Sequence, residues 1–172
     1  MPALHTFSAK RHEILADCET KLGYTFVDKQ HCFAALNATG FRLRWSTDTP
    51  PATKNDRLAI LGDIMLDANL ARTWNRARSV AASDANLAFV GFGRGLDRCI
   101  ALEPGTPDVS QKTMATTVEA LIGAAYQDGG DLAVEQVVSQ LGIDHEHFHA
   151  VTYKSSHTHR SRYYTLPPLI VF

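Results

Sequence analysis

The chain has 172 residues, 45% of them hydrophobic and 20% charged, a size and balance that suit one globular core and exclude wholesale disorder. Seventeen basic against eighteen acidic residues leave a net charge of -1, so no global positive field draws in a polyanion and any such contact must come from a local patch. Three cysteines, Cys18, Cys32 and Cys99, odd in number and without C-x-x-C spacing, argue against a disulfide framework or a zinc knuckle and point to a reducing, intracellular compartment, cytoplasm or nucleus.

Residues 1–9 read as an arm without the apolar run of a secretory signal. Lys10 and Arg11 keep a mitochondrial presequence open, although Glu13 and Asp17 follow soon after. No stretch reaches the roughly 18 uninterrupted apolar residues of a membrane span, so no membrane partner is expected. Ile14, Leu15, Cys18 and Leu22 predict a helix over 8–22 behind a Ser8 cap, stopped by Gly23. Asp28 caps a second, 28–39, with Cys32, Phe33 and Leu36 inward and Gly40 at its end. Residues 41–54 hold the Pro50-Pro51 pair and read as a loop. From Asn55 to Arg78 runs a long pattern, with Leu58, Leu61, Ile64, Met65, Leu66, Leu70 and Trp74 covering more than one stripe, as in a helix buried on several sides. A further helix is centred on 83–90, before the glycines of GFGRG and a turn at 104–108. Residues 110–128 are again long and apolar, Gly129-Gly130 breaks them, and 131–141 form a last amphipathic helix. The expected class is all-α, with one helical domain over 10–142 and a His-, Tyr- and base-rich tail over 143–172.

Carboxylates are the first residues with chemistry to offer. Asp56, Asp63 and Asp67 lie at i, i+7 and i+11, so they can share one helix face. Glu119 stands alone among Ala, Val, Leu and Ile, where an unpaired carboxylate is costly to bury. Together they could hold Mg²⁺ if two helices bring them face to face; equally, the aspartates could be a solvated face with Glu119 at its edge. GFGRG (91–95) lacks the preceding strand of a dinucleotide fingerprint and reads as a turn. His145, His147, His149, His157 and His159 read as an exposed polar tail rather than a metal site. Lys154, Arg160 and Arg162 among tyrosines suit contact with RNA phosphates and bases, or a solvated tail.

At the carboxylates a resemblance enters. NDRLAILGDIML (55–66) resembles the signature helix of the ribonuclease III family, N-E-R-L-E-F-L-G-D-A-V-L, and MATTVEALIGAAYQDGG (114–130) resembles its second conserved helix. KLGYTFVDKQHCFAALNATG (21–40) and ANLAFVGFGRGLDRCI (85–100) are similar to its opening and intervening segments, so that roughly residues 10–142 are covered. The phrasing is most similar to a divergent, fungal group of members.

The resemblance implies an all-helical domain that pairs as a homodimer through the signature helix, here Ile60, Leu61 and Ile64. Double-stranded RNA would lie in the resulting valley, and Mg²⁺ (or Mn²⁺) held by four carboxylates would serve phosphodiester hydrolysis. It carries two of the four over as Asp63 and Glu119, the catalytic and metal candidates. The other two positions hold Ala59 and Thr116, with Asp56 and Asp67 as substitutes and Thr116 as a weak ligand. The expected function is therefore action on double-stranded or structured RNA with weak or altered endonuclease activity. The alternative is a non-catalytic RNA-binding dimer or a component of a ribonucleoprotein such as the mitochondrial ribosome, and a helical metal-binding module stands third. The tail is too short for a separate double-stranded-RNA-binding domain, so RNA affinity is expected from the core and the arms.

Overall fold

A computed structural model describes residues 7, 9–73 and 81–143. They form helices α1 (Arg11–Leu22), α2 (Lys29–Ala35), α3 (Asp56–Thr73) and α4 (Asp84–Gly93), a 3-10 turn (Leu96–Cys99), and α5 (Gln111–Leu141), which is broken at Gly130. Among the described residues there is no strand, only the isolated bridges Asn37–Ala101 and Leu43–Ala52. No helix among them is long and apolar enough to cross a membrane.

The helix boundaries follow from local chemistry. The side chains of Asp28, Ser83 and Ser110 each accept a hydrogen bond from a first-turn backbone N–H, satisfying donors that have no partner inside the helix. Gly23 and Gly142 close α1 and α5 in the left-handed conformation (φ 61° and 76°), which glycine enters without a Cβ penalty. α1 starts at Arg11, after Lys10, which makes no side-chain cap bond; the expected Ser8 cap lies outside the described residues.

Two helices differ in length from the sequence expectation. α2 stops at Ala35 rather than near residue 39, because tertiary hydrogen bonds take over. Ala38 N–H donates to the Ala101 carbonyl (3.2 Å) and Ala101 N–H to the Leu36 carbonyl (3.0 Å). The buried Asn37 amide donates to the Phe41 and Thr53 carbonyls (3.0 and 3.1 Å). α4 runs on to Gly93, since Gly91 gains a close seat against Met114 and Val118.

α5 is the central element. Its first half buries Met114, Val118, Leu121, Ile122, Ala124 and Ala125 completely, and α3, α4, α2 and α1 all pack on it, α3 most extensively. The signature helix is thus not buried on all sides: Leu66 and Leu70 face the core, while Ile60 and Ile64 are 64% and 54% exposed. Its expected continuation through 74–78 lies outside the described residues.

A carboxylate clamp fixes the start of the fold to the end of α5's first half. Asp128 accepts hydrogen bonds from the Tyr24 hydroxyl and from the Val27 and Asp28 N–H groups, each at 2.8 Å. These bonds outweigh the effect of partial burial and hold Asp128 below the usual carboxylate range, while burial and the adjacent carboxylate push Tyr24 up to about 12.

Candidate functional site

The candidate site lies where α3 crosses α5. Gly62 and Gly123 meet there so closely that a Cβ on Gly62 would overlap the Glu119 carbonyl, and one on Gly123 would overlap that of Leu58. Glycine at both places lets two backbones touch, and this puts Asp63, the neighbour of Gly62, beside Glu119, one turn before Gly123. The start of α3 is anchored too: the buried Asn55 amide donates to the Ala35 carbonyl (2.8 Å) and to the Thr117 hydroxyl (3.4 Å).

Glu119 is half-buried and Asp63 exposed. Burial, then the negative fields of Asp63 and Asp84, push the Glu119 carboxyl up to about 7. Asp84, in the first turn of α4, is a third acidic neighbour that sequence reasoning missed. No motif marks it; only the docking of α4 on α5 brings it near.

The remaining predicted residues are spread out. Ala59 is buried and offers no oxygen, and Thr116 is half-buried. Asp56 is ion-paired with Lys54 at 2.9 Å and lies about 10 Å along the helix axis from Asp63. Asp67, half-buried, is one turn beyond Asp63. Among the described residues no group of three His, Cys, Asp or Glu side chains is arranged to hold a metal ion. Asp63 and Glu119, with Asp84 near the latter, are hard oxygen donors of the kind a divalent cation takes.

Beside the first turns of α3 an open groove of about 680 Å³ is lined by His31, Lys54 and Arg57 over Pro50, Leu58 and Leu61. Asp28 lines it as well, and its Lys54 is the one ion-paired with Asp56. Lys154, Arg160, Arg162 and the five tail histidines lie outside the described residues.

No protein-family model matches the chain. It is 30% identical over 143 residues to Ribonuclease 3 of Syntrophotalea carbinolica, a match that covers 74% of the chain and 61% of that protein. It is 30% identical over 144 residues to Ribonuclease 3 of Pseudomonas fluorescens, with 74% and 59% covered. With Ribonuclease 3 of Geobacter metallireducens the identity is 27% over 144 residues, with 74% and 58% covered. The chain spans about three fifths of the length of these curated relatives. Its fold matches the crystal structure of the nuclease domain of ribonuclease III from Campylobacter jejuni, with a TM-score of 0.59, 20% identity, and 73% of this chain and 92% of that one covered. A second structure of that domain, described for flexibility in a region involved in its dimer formation, matches with the same score over 94% of its length. Sequence relatives and fold neighbours agree with the two motifs packed at the glycine crossing: the chain belongs to the ribonuclease III family.

Proposed function

We propose that the chain acts on double-stranded or structured RNA as a pair of ribonuclease III-type domains joined along α3, with divalent-metal-dependent phosphodiester hydrolysis that is weak. The observation that carries this is the glycine crossing that brings Asp63 beside Glu119, while Ala59 and Thr116 stand where the family's other two carboxylates would be. The relatives named Ribonuclease 3 and the nuclease-domain fold support the substrate class and the hydrolase chemistry.

When bound, Mg²⁺ or Mn²⁺ polarises a phosphate and lowers the pKa of a bound water. Asp63 and Glu119 are the residues that would hold it. Thr116 would contribute a neutral hydroxyl, and Asp67, one turn from Asp63, is better placed to assist than Asp56, about two turns away. In this proposal Arg57, with Lys54 once a phosphate replaces its Asp56 partner, supplies the local cations that meet RNA phosphates. Ala59 and Thr116, which bring no carboxylate to the family's other two ligand positions, favour a second reading, a duplex-binding dimer that does not cleave.

Cleavage and binding of a long RNA duplex, measured with Mg²⁺ and with Mn²⁺, separate the two. The first predicts slow cleavage that rises in the Ala59→Glu, Thr116→Asp variant and disappears in Asp63→Asn with Glu119→Gln. A wild type that cleaves as fast as the restored variant would show that other ligands complete the site. Binding without cleavage by either folded form supports the second reading, and loss of binding throughout removes RNA as the partner.

A further inference from the structure

Residues 41–54, which the sequence predicts as a loop, form a short pinned ribbon. Leu43 and Ala52 exchange backbone hydrogen bonds (3.0 and 2.7 Å), and both are buried. The Asn37 amide ties the open end of the ribbon by donating to the Phe41 and Thr53 carbonyls. Near the turn, Trp45 packs against Phe33 and His12, with ring centroids 5.6 and 4.6 Å apart. Side chains alternate across an extended segment, so with Leu43 inward Arg42 and Arg44 face out, and both are exposed.

The register joins this outer face to the groove beside α3. Because Leu43 pairs antiparallel with Ala52, Thr53 stands opposite Arg42 and Pro51 opposite Arg44. Thr53 and Pro51 both line the groove. The Arg44 guanidinium also donates to the carbonyl of Thr49 (3.2 Å), another lining residue. Arg42 and Arg44 thus border the same open surface as Lys54 and Arg57. The acids around it are occupied elsewhere. Asp56 pairs with Lys54, Asp28 accepts from the Gln30 N–H (2.9 Å) and lies 3.9 Å from His31, and Asp48, in the turn, accepts from the Thr47 hydroxyl (3.2 Å). Among the described residues none of the three arginines has an ion-pair partner.

The surface lies on a different flank of α3 from the carboxylates. At 3.6 residues per turn, Arg57 is rotated by about 120° and Leu61 by about 160° from Asp63, with the exposed Ile60 and Ile64 between them. A phosphate held here is therefore not the one presented to Asp63 and Glu119.

We propose that Arg42, Arg44 and Arg57, with Lys54, form an accessory contact for the phosphate backbone of an RNA duplex, outside the cleavage site. The inference rests on the reading that the chain acts on RNA, and it names a second surface that meets it. Guanidinium groups match phosphate with two parallel N–H donors. Several of them on a pinned, open surface suit a repeating anion, since each phosphate neutralised releases condensed counterions. Such a contact adds affinity and salt dependence but no cleavage chemistry.

The test measures binding of a long RNA duplex across a salt series, in a chelator so that no metal supports cleavage. The proteins are wild type, Arg42→Gln with Arg44→Gln, and Arg42→Lys with Arg44→Lys, each checked for an unchanged melting curve. The glutamine pair should bind several-fold more weakly at low salt, and its slope of log K against log salt should be shallower by about two. The lysine pair keeps both charges and should keep most of the slope, which separates lost charge from a disturbed ribbon. With Mg²⁺ or Mn²⁺ restored, any cleavage should show a raised KM and an unchanged kcat in the glutamine pair. A folded glutamine pair with wild-type affinity and slope overturns the accessory surface while the RNA reading stands. A lysine pair that falls as far as the glutamine pair, or a loss of kcat at unchanged affinity, overturns it as well. A wild type that binds no duplex overturns the RNA reading and this surface with it.

Discussion

Gly62 and Gly123 fix the distance between the two carboxylates, and they do so with backbone that cannot retreat. A methyl group at either position meets a carbonyl of the opposing helix, so the helices must separate and the core beneath them loosen. Gly123→Ala should therefore cost at least about 2 kcal/mol in urea unfolding. Gly91→Ala should cost less, because the methyl there meets chiefly the side chain of Met114, which can swing away. Equal losses at the two sites would contradict this account of the crossing. Glu119 makes a second residue-scale prediction. Its carboxyl is raised to about 7 from an ordinary value of 4.5, so between those two pH values the unfolded chain releases a proton that the folded chain keeps. Stability of the metal-free protein should fall as pH rises through this window. Glu119→Gln should flatten that slope and, above pH 7, exceed the wild type by about 1 kcal/mol, a figure reduced for solvent screening at a half-exposed group. Unfolding in a chelator at both ends of the window measures it, and identical slopes for the two proteins would refute it.

At the scale of elements, the clamp between residues 24–28 and α5 gives a structural meaning to two family motifs separated by about a hundred positions. The aspartate of YQDGG holds the tyrosine of LGYTF and two neighbouring N–H groups. Asp128→Ala leaves all three donors without their acceptor and should cost about 2 kcal/mol at neutral pH. Because Asp128 lies below the usual carboxylate range when folded, its contribution is present above that range and is lost as pH falls through it. Wild type and variant should therefore converge in acid, as circular dichroism melts would show. Elements whose caps are local were legible in the sequence: Asp28, Ser110 and Gly142 sit at or next to the expected boundaries. The early end of α2 was not, because it depends on Ala101, which reaches residues 36–38 only in the folded chain. The run of α4 through its glycines likewise depends on Met114 and Val118, which no helix propensity could announce.

At the scale of the whole molecule, the sequence placed Asp63 and Glu119 on different helices, and the crossing joins them; Asp84 stayed hidden because its relation to Glu119 is wholly tertiary. What the described chain leaves open to solvent then bears on its assembly. Ile60 and Ile64 lie one turn apart on α3 and are 64% and 54% exposed, beside the half-buried Leu61 and Met65. A monomer rarely leaves branched apolar side chains adjacent on the face of a helix otherwise packed into its core, and covering them by a second copy of the same face makes a closed, self-complementary contact. The proposed dimer should therefore sediment as such at micromolar concentration. Ile60→Glu with Ile64→Glu should yield a monomer of unchanged helicity, since neither side chain supports the core. Duplex binding should fall in that variant even though every carboxylate remains, because one domain presents half of the paired surface. A wild type that sediments as a monomer, or a monomeric variant that binds duplex undiminished, would mean that RNA contact runs through a single domain, with the groove at His31, Lys54 and Arg57 as its first candidate.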